Sequence, residues 1–169
     1  MVSSLKPKTT PIRTSKIVHK SSTLHQLTRF VTEDAVCVMF KISFEDIYTV
    51  ECWRYVVYVH GKGLSKFVSY ADFPPIISVD SPTTSDCIKW RKRWRKCHNY
   101  CQRKQAPSWW TEFFTLEFGE ASSESMLSSW WQLIGLINFA FSQETLQQLQ
   151  NSHRQVKMMF EQEVKGKRK

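Results

Sequence analysis

The chain reads as an α+β domain: a small, mainly antiparallel β-sheet packed against a basic amphipathic helix and two C-terminal helices. Three patterns predict this. Residues 47–70 are rich in β-branched and aromatic side chains on either side of the loop Gly61-Lys62-Gly63, as in a hairpin. Cys87, Trp90, Trp94, Cys97 and Cys101 step by 3, 4, 3 and 4, which aligns them on one edge of a helix. Residues 122–164 carry apolar side chains at the same helical spacing.

At 169 residues with 41% hydrophobic and 14% aromatic content, one domain with a ring-rich core is expected. Residues 1–23 are basic, rich in Ser and Thr and free of acids, so they are expected to be a disordered tail. The same composition describes an organelle-targeting peptide, although Pro7 and Pro11 oppose a helix there. The single domain then spans 24–164, and 165–169 is a basic C-terminal tail.

Within the domain, Asp34 to Ser43 is apolar and β-branched enough to predict a strand. Ile47 to His60 predicts a long strand, bent near Glu51-Cys52, and Leu64 to Tyr70 returns beside it. Trp53, Tyr55, Val57 and Val59 share one face of that run, and Arg54, Val56 and Tyr58 the other, so both faces are expected to be partly covered. Pro74-Pro75 breaks the pattern, and Ile76 to Val79 predicts a short strand. A Ser or Thr cap followed by Asp86 opens the basic helix, and Pro107 stops it. Trp109 to Phe118 predicts a strand with Trp110, Phe114 (or Phe113) and Leu116 alternating against Glu112 and Glu117. Residues 122–141 form a buried helix, and Leu146, Leu149, His153, Val156 and Phe160 mark the stripe of a last one.

Charge is the functional signal. The net charge is +9, yet residues 1–32, 89–104 and 165–169 together carry +18, so the remainder is −9. The middle segment holds Lys89, Arg91, Lys92, Arg93, Arg95, Lys96, Arg103 and Lys104 with no Asp or Glu. Stability alone favours interspersed acids, because like charges at i,i+4 repel. A face of this kind calls for a polyanion, and nucleic acid is the obvious one. Trp90 and Trp94 lie on the apolar edge and are expected in the core, not stacked on bases. The same segment also suits a nuclear-localisation patch or a helix that docks an acidic, calmodulin-like groove.

Other chemistry is thinly represented. Five cysteines and no secretory signal point to reduced thiols, hence to the cytoplasm or to a nucleus or nucleoid. Cys97, His98 and Cys101 lack a second ligand pair at zinc spacing, so no metal or other cofactor is expected. Neither GxSxG nor GxxxxGK[ST] occurs. His60, His153 and the acid pairs Glu33/Asp34 and Glu45/Asp46 suggest catalysis only if the fold gathers them. Met126 to Phe141 is too short and too polar for a membrane span, although Trp130-Trp131 fits an interfacial segment.

The expected function is non-enzymatic nucleic-acid binding, to RNA or DNA, with the eight named cations on phosphates and the basic tails adding reach. The competing expectation is a protein-interaction module whose basic face docks an acidic partner. Leu146, Leu149, Val156 and Phe160 offer a stripe for self-association in either case.

Overall fold

The protein is described by a computed structural model over residues 13–97 and 105–166. β1 (Ile17–His19) lies parallel to β2 (Ile47–Cys52), with Val18 opposite Glu51. Parallel neighbours need a crossover, and α1 (Glu33–Phe40) provides it. A strand was expected at 34–43, and the local chemistry explains the helix instead. Thr32 Oγ1 accepts from the Ala35 N–H at 3.2 Å, and Glu33 and Asp34 sit in the first turn, where carboxylates favour helix. The capping signal outweighs the β-propensity of the apolar run behind it.

β1 lies inside the segment that composition assigns to a tail. Val50 N–H donates to the Lys16 carbonyl and Lys20 N–H to the Cys52 carbonyl, both at 2.9 Å. Glu33 accepts from Ser15 Oγ and Lys16 N–H at 2.9 and 2.7 Å. The fold therefore begins before Leu24.

The sheet runs β1-β2-β3-β4, with β3 (Val57–Gly61) and β4 (Leu64–Val68) antiparallel to their neighbours. It is mixed, and the architecture is α+β. The expected long strand over 47–60 is two strands. The chain turns at 53–56, where Trp53 N–H bonds the Val56 carbonyl at 3.0 Å, and the irregularity in pairing falls between Ile47 and Thr49. The hairpin forms as expected, with Gly63 at φ +68°. A Cβ on Gly61 would stand 2.6 Å from the Asp46 carbonyl oxygen, so that position admits only glycine without a shift. Ile76 to Val79 is not a strand, because the buried pair Pro74-Pro75 has no N–H to offer a ladder.

Four more helices complete the described fold: α2 (Thr84–Cys97), α3 (Trp109–Glu120), α4 (Glu124–Leu136) and α5 (Gln143–Gly166). α3 replaces the strand expected at 109–118. Its buried side chains are Trp110, Phe113, Phe114 and Phe118, a helical set, while Leu116 is exposed. Aromatic richness suggested β-structure, but the period is helical. Trp110 is the hub of the core. It meets Trp94 and Trp90 edge-on at 5.2 and 5.8 Å between centroids, and its Nε1–H donates to the Asp72 carbonyl at 2.8 Å.

The stripe proposed for self-association is used within the chain. Leu149 is fully buried, and Leu146, Val156 and Phe160 pack against the core. α5 also runs through Gly166, past the start assigned to the C-terminal tail. Trp130 is buried and Trp131 half-buried in the same core, so the interfacial reading of 126–141 does not hold. No helix among the described residues is long and apolar enough to cross a membrane.

Glu117 on α3 gives the fold a pH dependence. Burial pushes its carboxyl up to about 7, and Asp34 on α1 and Glu120 on α3 add to the effect. The folded value lies above the unfolded one, so the folded protein retains a proton that the unfolded chain releases. Stability from this group is therefore present at acid pH and lost as pH rises through about 7. Glu117→Gln is expected to raise the thermal midpoint by about 2–4 °C at pH 8 and not at pH 4, below the ordinary glutamate value. Equal shifts at both pH values would contradict this assignment.

Candidate nucleic-acid interface

α2 is built to hold one edge in the core and the rest outside. Its start is a reciprocal cap: Asp86 N–H donates to Thr83 Oγ1 at 3.2 Å, and Thr83 N–H donates to the Asp86 carboxylate at 2.8 Å. Asp86 is fully buried and also accepts from Gln26 Nε2 at 2.7 Å and from the Arg29 guanidinium. Burial alone would raise its carboxyl, but the hydrogen bonds from Arg29, Thr83 and Gln26 outweigh that and hold it below the usual aspartate value. The acid at the head of the cationic run is thus already engaged, and Asp72 lies near Arg93 without an ion pair to it. Trp90 and Trp94 follow one and two turns later, 0% and 2% exposed, with Trp94 Nε1–H on the Ala71 carbonyl at 3.3 Å.

With Asp86, Trp90 and Trp94 directed inward, the cations have nowhere to go but outward. Lys89, Arg91, Lys92, Arg93, Arg95 and Lys96 are all exposed. None has a carboxylate within salt-bridge distance among the described residues, where the ion pairs are Lys20–Glu51, Arg29–Asp86 and Lys157–Glu124. The undescribed stretches 1–12, 98–104 and 167–169 hold no Asp or Glu side chain that could serve. Arg103 and Lys104, named with the other six from the sequence, lie outside the described residues, as do His98 and Cys101.

The cations divide into two sets that share Lys92. Lys89, Lys92, Arg93 and Lys96 line a cleft of about 200 Å³ with His25, Leu27, Ser69 and Ala71. Ile88, Arg91, Lys92 and Arg95 line an open groove on the other flank, where the Arg91 guanidinium sits 4.1 Å over the Phe139 ring. His25 is the one residue of the cleft that sequence reasoning missed and that can hydrogen-bond an anion through a ring nitrogen. Its ring stacks on Tyr70 at 4.2 Å, and its Nδ1 accepts the Leu27 N–H at 3.0 Å, so the neutral ring carries its proton on Nε2. Burial, then Lys89, holds the imidazole below its usual value. An oxyanion entering the cleft would meet four cations beside the His25 ring, a set able to hold an anion.

The other candidates do not assemble into chemistry. His153 packs against Trp131 and Phe118, 4.9 and 5.7 Å between centroids, with its basicity lowered by burial and then by Lys157. Glu33 is engaged with β1, and Asp46 accepts from Ser43 Oγ at 2.9 Å. Cys37, Cys52 and Cys87 are free thiols, each pushed up first by burial. Among the described residues no three His, Cys, Asp or Glu side chains gather as metal ligands would. No protein-family model matches the chain, and no curated protein or solved structure matches it either.

Proposed function

We propose that the chain binds nucleic acid, with the outer faces of α2 on the phosphates. One observation carries this reading: six exposed cations on one helix, none of them in an ion pair with a carboxylate among the described residues. Lys89/Arg93, Arg91/Arg95 and Lys92/Lys96 are i,i+4 pairs of like charge, each costing the helix about 0.2–0.5 kcal/mol. A polyanion removes that repulsion, and release of its condensed counterions drives binding. From Lys89 to Lys96 the helix rises about 10 Å and carries cations on two flanks, enough to engage about four phosphates. The cleft beside His25 would seat one of them, and the groove beside Arg91 would take its neighbour. Contacts of this type position the ligand without reading its sequence. The basic residues of 1–12 and 98–104 and those of 167–169 add to the field by charge alone.

Titration of the protein with labelled single- and double-stranded DNA and RNA at several salt concentrations tests the proposal. Saturable binding is expected, with log K falling linearly against log salt. Absence of binding at low salt would contradict it and would leave the face to an acidic protein partner.

A further inference from the structure

The outward face of the sheet carries rings where water favours polar side chains. Val57 and Val59 point into the core, so strand alternation turns Tyr58 and His60 outward. Register then pairs Tyr58 with Phe67 and His60 with Ser65, and the irregularity in β2 brings Tyr48 alongside. The rings touch in sequence: Tyr48 to His60 at 5.2 Å, His60 to Tyr58 at 6.1 Å, Tyr58 to Phe67 at 4.9 Å between centroids. Among the described residues no helix covers them, since Phe67 is 68% and Tyr48 56% exposed. Trp53 and Tyr55, in the turn between β2 and β3, are exposed as well. Both faces of this hairpin are expected from the sequence to be partly covered; on the outer one Tyr58 is half-buried, and Tyr48 and Phe67 are exposed.

Charge and chemistry narrow what the face can bind. Residues 47–68 contain Arg54, Lys62 and Lys66 and a single acid, Glu51. That acid is engaged by Lys20 at 3.5 Å and by Trp53 Nε1–H at 3.0 Å. Lys66 pairs with Val59 and so stands on the opposite face, which leaves Arg54 and Lys62 in the turns at the two ends; the face is aromatic in its middle and cationic at those ends, complementary to a ligand with flat rings and negative charge. Its apolar members are rings, with Val18 on β1 as an aliphatic at the far side. Hydroxyl and imidazole groups lie among them, with Tyr58 Oη and Ser65 Oγ 2.9 Å apart.

We infer that this face is a stacking platform for the bases of a single-stranded nucleic acid. The inference rests on the nucleic-acid reading above and makes the ligand more specific. Bases of a duplex are stacked on each other and cannot lie on protein rings, whereas unpaired bases can, at about 1–3 kcal/mol per base. Tyr58 and Phe67 are the central pair, Tyr48 and His60 extend the row, and Arg54 and Lys62 in the flanking turns meet the backbone.

The test compares an oligothymidylate with a base-free sugar–phosphate oligomer of equal length, bound to the full chain. The base-bearing strand is expected to bind at least about tenfold more tightly. Phe67→Ala and Tyr58→Ala should each lower its affinity about tenfold and leave the base-free strand unchanged. Both side chains reach solvent, and far-ultraviolet circular dichroism checks that each variant folds. Equal binding of the two oligomers overturns this inference while leaving the phosphate reading intact, and gives the aromatic face to a protein partner. Binding of neither oligomer overturns both.

Discussion

Replacing Arg91, Lys92, Arg93 and Lys96 together with Glu is expected to weaken nucleic-acid binding at least about a thousandfold at 0.1 M salt. Each phosphate contact adds about 0.7–0.9 to the slope of log K against log salt. Extrapolated from 1 M to 0.1 M, four contacts amount to a factor of about a thousand or more. The reversed charges then repel the strand, so the loss exceeds mere removal. Folding should survive, because all four side chains are exposed and none holds a carboxylate. Glu in the last turns of a helix opposes its dipole at about 0.3–1 kcal/mol each, and Arg91 would leave the Phe139 ring. A quadruple Gln variant separates the two effects. It should lose the attraction without adding repulsion, and so fall between wild type and the Glu variant. Affinity unchanged in both variants would place the binding elsewhere.

Asp86→Ala is expected to destabilise the protein by about 3–5 kcal/mol, the usual effect of deleting one partner of a buried ion pair. The carboxylate is fully buried and holds three elements together: the start of α2, Gln26 and Arg29. Without it the Thr83 N–H, the Gln26 amide and the Arg29 guanidinium all lose an acceptor. Against a total of about 5–15 kcal/mol for a typical domain, that is a large fraction. Urea denaturation measures it as a shift in midpoint. The Arg29→Met/Asp86→Leu double variant should cost less than the sum of the two single changes, because no unpaired charge is left behind. The folded-state value of Asp86 is depressed, so its contribution is present above the ordinary aspartate range and lost as pH falls through the folded value. An Asp86→Ala variant within about 1 kcal/mol of wild type would contradict the anchoring role. The same loss would loosen the loop that carries His25, and with it the cleft.

The parts of the fold legible in the sequence are those fixed by local chemistry. Gly61-Lys62-Gly63 marks the hairpin because the turn needs a positive φ at Gly63. Thr83 and Asp86 mark the start of α2 because the cap is closed within four residues. Trp90 and Trp94 were assigned to the core from spacing alone, and both are buried. Two helices were misread as strands for one reason. In α1 and α3, runs of Val, Phe and Trp suggested β-structure, but Thr32 caps the first and the Trp110-to-Phe118 spacing governs the second. β1 has three residues and exists through its parallel neighbour, so nothing in Ile17–His19 itself announces it.

The same division runs through the candidate site. Six of its cations were legible, because a run of Lys and Arg without acids shows its character in any conformation. His25 was not, since it reaches the cleft from a loop more than sixty residues away from Lys89. Nor was the aromatic face of the sheet. Alternation sorts Tyr58 from Val59, but which of the two faces the helices cover is decided by tertiary packing.

Contact between the outer faces of α2 and phosphates carries a signature in salt dependence. Its most direct test is the slope of log K against log salt for wild type and for the Arg91/Lys92/Arg93/Lys96→Glu variant, on one strand of fixed length. The slope is predicted to be shallower in the variant by about 2.8–3.6, matching four lost contacts. An identical slope in the two proteins would contradict the claim, whatever their absolute affinities.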